Sequence, residues 1–240
     1  NNMVVIAVMP AYNAAKTVEK TVRDIPEGVV DKIILVDDNS RDETVTIAKK
    51  LGITVIKHPK NRGYGGNQKT CYTMALSEGA DVVVMIHPDY QYDATLTKEM
   101  VRPIIQGRCD VMLGSRIRTR QEALAGGMPL YKYVFNRMLT LIENTILGQN
   151  LSEYHTGFRA FSKEAIEKLP FHKYSDDFVF DSQMLFWCLA NGERIGEVPV
   201  PIRYYSEASS INFKRSVQYG LSILKDLGIY IITNGRAFTQ

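Results

Sequence analysis

Cysteine is scarce and scattered in this chain. Cys71, Cys109 and Cys188 share no spacing with a disulfide framework or a thiolate metal site. The expected compartment is therefore a reducing one, the cytoplasm. No apolar run reaches the roughly 18 residues that a membrane span needs. The longest candidate, Leu227 to Ile232, is short and follows Lys225 and Asp226, so any membrane contact is expected at the surface only. The apolar run from Met3 to Pro10 lacks the basic flank of a leader peptide and reads as a strand. The formal net charge of +3 is too small to argue for a nucleic-acid partner. A Walker loop, a G-x-G-x-x-G fingerprint, internal repeats and a low-complexity linker are all missing.

What is present is ordinary globular material, with 45% hydrophobic and 23% charged residues. In the first half, short apolar runs alternate with amphipathic stretches. Strands are predicted at Val4–Val8 (ended by Pro10), Lys32–Val36, Ile53–Lys57, Asp81–Ile86 and Asp110–Leu113. Helices are predicted at Ala14–Ile25, Asp42–Leu51, Asn67–Ser77 and Ala94–Gln106. Such alternation implies βαβ units and a mostly parallel sheet flanked by helices. In the second half, residues 115–130 read as a long loop of the kind that forms lids. Helices are expected at Leu130–Leu147, Ser162–Leu169, Asp181–Ala190 and Ser216–Thr233, and strands at Gly157–Phe161 and Arg194–Val200.

The polar residues follow the strands. Pro10-Ala11-Tyr12-Asn13, Asp37-Asp38-Asn39-Ser40, Asn61–Gly66 and His87–Gln91 each come after an apolar run. Ligands of open α/β sheets bind at the carboxyl ends of strands, so these turns converge on one candidate site. The adjacent acids Asp37 and Asp38 suit ribose hydroxyls or base N–H groups, although Asp38, Ser40 and Asp42 can each also cap the next helix. Asp89, with Gln91 two residues on along an extended segment, suits a divalent cation shared with phosphate oxygens. Two readings are open for His87: a ligand or ribose contact, or a buried, hydrogen-bonded histidine. The glycines of Asn61–Gly66 allow a ligand close to the backbone, or make a plain turn. Asp181 opens a helix, where an acid is favoured electrostatically, and is equally placed to act as a general base. Basic residues gather at Arg116, Arg118 and Arg120, and again at Arg203, Lys214 and Arg215. Phosphate contact and a solvated loop are both open for these.

The succession AVMPAYN, ILVDDNS, NRGYGGN, VVMIHPDYQ, LGSR and TGFRAFS resembles the family 2 inverting glycosyltransferases of GT-A fold, in particular the polyprenyl- (dolichyl-) phosphate mannosyl- or glucosyltransferase branch. The resemblance covers roughly residues 4–212. It implies one GT-A domain over 1–240, with a nucleotide-binding half to about residue 115 and an acceptor-binding half from about 116. Pro10, Ala11, Tyr12 and Asn13 would lie at the nucleotide, with Asp38 on the base or ribose and Asp37 supporting it. The Asn61–Asn67 segment, including Gly65, would lie beside the base. Asp89 matches the metal-binding second acid of the D-x-D motif, and Gln91 the glutamine beyond it. Ser115 and Arg116 match a segment near the donor sugar, and Arg159 one near the acceptor phosphate. The C-terminal segment, with Ser209, Ser210 and Arg215, would meet a phosphate or a membrane surface.

The chain departs from the family pattern at His87, where the first acid of D-x-D is expected. Imidazole there shifts the expected cation from magnesium toward manganese. Ala14-Ala15 replaces the acid that often follows the first Tyr-Asn pair. Counted back from Asn191-Gly192, Asp181 falls where relatives that glycosylate hydroxyls carry their catalytic aspartate, whereas TGFRAFS is typical of the lipid-phosphate branch. The expected function is thus hexose transfer from a GDP- or UDP-sugar, with Asp89 and Asp181 catalytic, to a polyprenyl phosphate or a glycan hydroxyl. A sugar-nucleotide nucleotidyltransferase and a catalytically silent nucleotide-sugar binding module are the alternatives. The first usually carries a Gly-rich loop where this chain has Pro10–Asn13.

Overall fold

A computed structural model describes residues 3–116, 119–201, 203 and 212–238. In chain order the elements are β1 (Val5–Ala11), α1 (Val18–Asp24), β2 (Lys32–Asp37), α2 (Thr44–Lys50), β3 (Thr54–Lys57), α3 (Tyr64–Ser77), β4 (Val82–Met85), α4 (Thr97–Ile105), β5 (Val111–Ser115), α5 (Arg120–Ala125), α6 (Leu130–Leu147), β6 (Arg159–Ser162), α7 (Lys163–Glu167), α8 (Phe180–Ala190), β7 (Ile195–Pro199) and α9 (Phe213–Thr233).

The strands form one seven-stranded sheet in the order β3-β2-β1-β4-β6-β5-β7. Pairing is parallel throughout β3-β2-β1-β4 and between β5 and β7. Strand β6 runs antiparallel to both β4 and β5. It comes from the second half of the chain, so the two halves share one sheet. The expected α/β sheet flanked by helices is what the chain forms.

Alternation along each central strand divides the core. Ile6, Val8, Ile34, Val36, Val83 and Met85 pack into one apolar cluster with residues of α3 and α8. Val5, Ala7, Met9, Leu35, Val82 and Val84 pack into another with residues of α1 and α4. Burial on both faces explains why the strands read as almost unbroken apolar runs.

Several boundaries differ from expectation, four of them informatively. Strand β1 continues through Pro10, which pairs with Val36. The last rung toward β4 is Ile86 N–H to the Val8 carbonyl, and by strand alternation the missing N–H of Pro10 faces that side, beyond the rung. Helix α3 starts at Tyr64, inside the Gly-rich run, after Gly63 at φ 86°. The 115–130 segment contains α5, whose start is capped by the Thr119 hydroxyl accepting from Glu122 N–H. The expected helix from Ala94 opens as a 3-10 turn at Ala94–Leu96, with Asp93 accepting from Thr95 N–H, before α4. Other local signals behave as read: Ser162 caps α7 by accepting from Ala165 N–H.

Candidate active site

The carboxyl ends of β1, β2 and β4 open onto a cleft of about 690 Å³ lined by Pro10, Ala11, Tyr12, Asp38, Asn61 and Asn67, among others. A second cavity of about 180 Å³ includes Gln91, Arg116, Lys132, Asn136, His155 and Asp181. Tyr64, His87, Asp89 and Phe178 line both, so the two spaces meet at the β4 turn.

The two acids at the end of β2 divide their work. Asp37 is fully buried and accepts from Ser40 N–H at 2.9 Å and from the Ser40 hydroxyl. It holds the turn and lines neither space. Asp38 turns its carboxylate to the segment after β3. Its Oδ1 meets His58 Nδ1 at 2.8 Å and Arg62 N–H at 2.8 Å, and its Oδ2 accepts from Gly63 N–H at 3.1 Å. Asp38 thus builds the Asn61–Gly63 turn, and neither it nor Ser40 caps α2. His58, whose Nε2 reaches the Thr70 hydroxyl at 2.9 Å, was not singled out from sequence. It lies directly after β3, where the strand-end rule would have found it. Asn67 donates to the Val36 carbonyl at 3.0 Å, tying α3 to the end of β2. Asn13, at φ 50°, accepts from Arg41 N–H and donates its own N–H to Ser40. It shapes the first turn and does not line the cleft.

Gly65 also has a different neighbour from the one expected. A Cβ there would run into the Ser175 carbonyl oxygen and sit 2.9 Å from both the Asp176 carbonyl carbon and Phe180 Cβ. Its N–H donates to the Asp176 carbonyl at 2.7 Å. The close approach that glycine permits is to the 175–176 backbone, which brings α3 against the approach to α8.

At the β4 turn, Tyr90 adopts φ 64°, and Gln91 N–H donates to Asp89 Oδ1 at 3.1 Å. The Asp89–Gln91 segment is therefore a turn, and an extended segment is not what brings both residues to the same cavity. The Arg203 guanidinium lies 4.4 Å from the centre of the Tyr90 ring, consistent with cation–π stabilisation. Among the described residues no three His, Cys, Asp or Glu side chains converge as a cage.

The smaller cavity has Arg116 and Lys132 on its wall together with Asp89 and Asp181. Glu153 is fully buried and binds the Arg116 side chain, with Nη2–Oε2 at 2.7 Å, and accepts from Arg116 N–H. Burial opposes its charge, but Arg116 overcomes this and holds the Glu153 carboxyl below its ordinary range. Burial, followed by repulsion from Arg116, lowers Lys132 from its ordinary value. Arg116 is thus paired with a carboxylate, and Lys132 lies close enough to feel its charge. Ser115 bonds to Ser152 behind them and lines neither space.

Asp181 does not cap α8, which has no side-chain cap. Instead, its Oδ2 accepts from the Tyr64 hydroxyl at 2.6 Å. Burial, then the Asp181 charge, pushes the Tyr64 phenol well above its ordinary range, so it remains a donor. The Tyr64 ring stacks on His87 at 5.5 Å with 5° between planes. Arg159 corrects an expectation. It is 1% exposed and donates to the carbonyls of Thr156, Tyr154 and Asp181. It braces the start of α8 from below and has no face toward an acceptor. Arg215 does line the larger cleft, stacked over Phe178 at 4.8 Å. Ser209, Ser210 and Arg118 lie outside the described residues.

The profile of glycosyl transferase family 2 matches residues 6–170. A UDP-N-acetylglucosamine–dolichyl-phosphate N-acetylglucosaminyltransferase from Methanococcus voltae is 32% identical over 224 residues, covering 85% of this chain and 88% of that protein. A low-salt glycan biosynthesis hexosyltransferase, Agl6, from Haloferax volcanii is 30% identical over 198 residues, covering 80% of this chain and 46% of that protein. In three dimensions the chain is similar to glucosyl-3-phosphoglycerate synthase from Mycobacterium tuberculosis in complex with UDP. That match has a TM-score of 0.73 and 20% identity, covering 95% of this chain and 81% of that one. The same enzyme has been solved with manganese, UDP-glucose and phosphoglyceric acid, with a TM-score of 0.71.

Proposed function

The chain belongs to glycosyl transferase family 2, and from that premise we propose that it moves a hexose, with inversion, from a nucleotide-diphosphate sugar to a polyprenyl phosphate presented at an anionic membrane surface. The observation that carries this reading is the junction of two spaces at His87 and Asp89, one floored by strand ends and the other edged by cations and apolar helices.

The larger cleft takes the nucleotide, with Pro10, Ala11 and Tyr12 beside the base and the Asn61–Gly63 turn along it. Asp89, with Gln91 beside it, offers hard oxygen donors that suit magnesium or manganese completed by diphosphate oxygens. Such a cation would neutralise the leaving nucleoside diphosphate. The hexose then sits at the junction. An acceptor oxygen attacks the anomeric carbon from the face opposite the diphosphate, the bond from that carbon to the diphosphate oxygen breaks, and the diphosphate leaves with the electron pair.

The smaller cavity supports an anionic acceptor through Arg116 and Lys132. Its surroundings support a lipid one. Tyr131, Phe135 and Tyr219 of α6 and α9 line it, and the same helices expose Leu130, Val134, Met138 and Leu141 beside Phe213, Val217, Leu221 and Leu224. Phe135 packs onto Gly220, which lets the two stripes lie side by side. The acids Glu143 and Asp226 of these helices are buried, while Lys214 and Lys225 are exposed. An apolar face with only cations exposed suits anionic lipid. The relative from Methanococcus voltae is named for a dolichyl-phosphate acceptor. A second reading, a glycan hydroxyl, is favoured by Asp181, whose carboxylate would take the hydroxyl proton.

Purified protein is offered UDP- and GDP-linked hexoses with either polyprenyl phosphate in anionic vesicles or a soluble glycan. Release of nucleoside diphosphate that depends on the lipid phosphate is expected. Glycosylation of the glycan alone would replace the first reading with the second.

A further inference from the structure

Tyr64 stands in the middle of the site but belongs to none of the acidic motifs that mark it. It is the first residue of α3 and follows directly on Gly63. The turn before it is pinned from below by Asp38, through the N–H groups of Arg62 and Gly63. That turn lines the larger cleft, while the Tyr64 side chain lines both spaces. On the far side its hydroxyl reaches Asp181 Oδ2 at 2.6 Å and lies 3.3 Å from His87 Nε2.

A phenol has one proton to give. The short bond to a carboxylate is charge-assisted and takes it. Toward His87 the phenol oxygen can then only accept, so the 3.3 Å contact is a hydrogen bond in the tautomer that carries its proton on Nε2. In that tautomer Nε2 donates to Tyr64, while Nδ1 keeps its lone pair. His87, at the place of a D-x-D acid, is then the outer member of a chain running His87 to Tyr64 to Asp181. Gly157 keeps this chain in place, since a Cβ there would come within 2.8 Å of His87 Nε2. The α3 start is also fastened to the segment leading into α8, by Gly65 N–H on the Asp176 carbonyl and by Lys69 Nζ on Asp176 Oδ1 at 2.6 Å.

We propose that Tyr64 is a positioning residue that couples the nucleotide cleft to the acceptor side: the turn that meets the nucleotide carries it, and its hydroxyl fixes the Asp181 carboxylate against the reacting centre. The inference rests on the reading that the larger cleft takes the nucleotide and on the second acceptor reading, a hydroxyl whose proton passes to Asp181. Tyr64 works through Asp181.

Tyr64→Phe keeps the ring on His87 and Phe178 and removes only the hydroxyl. With UDP and GDP as probes, nucleotide affinity should stay within about twofold of wild type, which also reports that the variant is folded. The donor KM should stay similar while kcat falls roughly 10–100-fold, the scale on which a misplaced group acts. In an Asp181→Asn background, adding Tyr64→Phe should change kcat less than about twofold, because the group it positions is already altered. A full kcat in Tyr64→Phe alongside an impaired Asp181→Asn overturns the inference alone. So do multiplying effects in the double variant, or a loss confined to nucleotide affinity. A full rate in Asp181→Asn overturns the underlying reading of Asp181 and the inference with it.

Discussion

Replacing Gly65 by alanine tests whether the glycine-rich segment serves a ligand or the packing of α3. Alanine is the better helix former by about 1 kcal/mol, and Gly65 is the second residue of α3. If its environment were open, Gly65→Ala would stabilise the protein. The geometry gives the opposite sign. The new methyl would meet the Ser175 carbonyl oxygen, the Asp176 carbonyl carbon and Phe180 Cβ, and two of those are backbone atoms that cannot rotate away. Overpacking of this kind costs about 1–3 kcal/mol. Displacing the segment also loosens the 2.7 Å bond from Gly65 N–H to the Asp176 carbonyl, worth about 0.5–1.5 kcal/mol. After the helix gain is subtracted, a net loss of roughly 1–3 kcal/mol remains. For a chain of this size that lowers Tm by about 3–10 °C. The neighbouring Gly66 provides the control. A Cβ there meets side-chain atoms, Arg62 Cβ at 3.0 Å and Asp176 Oδ1 at 3.4 Å, so Gly66→Ala should stay within about 1 kcal/mol of wild type. Thermal and urea unfolding of the two variants make the comparison. A Gly65→Ala protein with an unchanged or raised Tm would refute the assignment of this glycine to packing.

Two further outcomes follow from the same geometry. Asp89→Ala should lower metal-dependent turnover by at least about 100-fold in magnesium or manganese titrations, while UDP or GDP affinity at the strand ends changes far less. Near-normal turnover would remove Asp89 from the metal site. Burial lifts the Asp226 carboxyl above its ordinary range, with the Gln183 hydrogen bond working against the shift. A carboxyl that holds its proton more tightly folded than unfolded favours the fold at low pH and opposes it once pH has risen through the folded value. Asp226→Asn should therefore raise Tm at neutral pH, with the gain fading as pH falls toward the ordinary aspartate value of about 3.9. A Tm gain independent of pH would contradict this cause.

Much of this protein was legible from local pattern alone. Apolar runs of strand length, interleaved with helical spacing, determine a parallel-rich sheet because each element must bury the face its sequence makes apolar. The order of the turns then points to the place of the candidate site, since every polar turn follows its strand and parallel strands end on one edge. Pro10–Tyr12, Asp38, Asn61 and Asp89 were found in this way, and the structure brings them to the two adjoining spaces.

Tertiary structure decided which side chains face those spaces. Arg159 looked available in sequence, yet β6 lies between β4 and β5 and carries it into the interior, where three carbonyls take its donors. Asp181 looked like a helix cap as much as a base, because an acid at a helix start suits both. The structure excludes the cap and turns the carboxylate to Tyr64, 117 residues earlier, and no local pattern encodes a contact at that separation. Gly65 was read as room for a ligand, and the room is filled by the 175–176 backbone. Spacing and composition specify what each segment can become on its own. Which groups meet is fixed only when the sheet is assembled and distant segments compete for the same few hydrogen-bond partners.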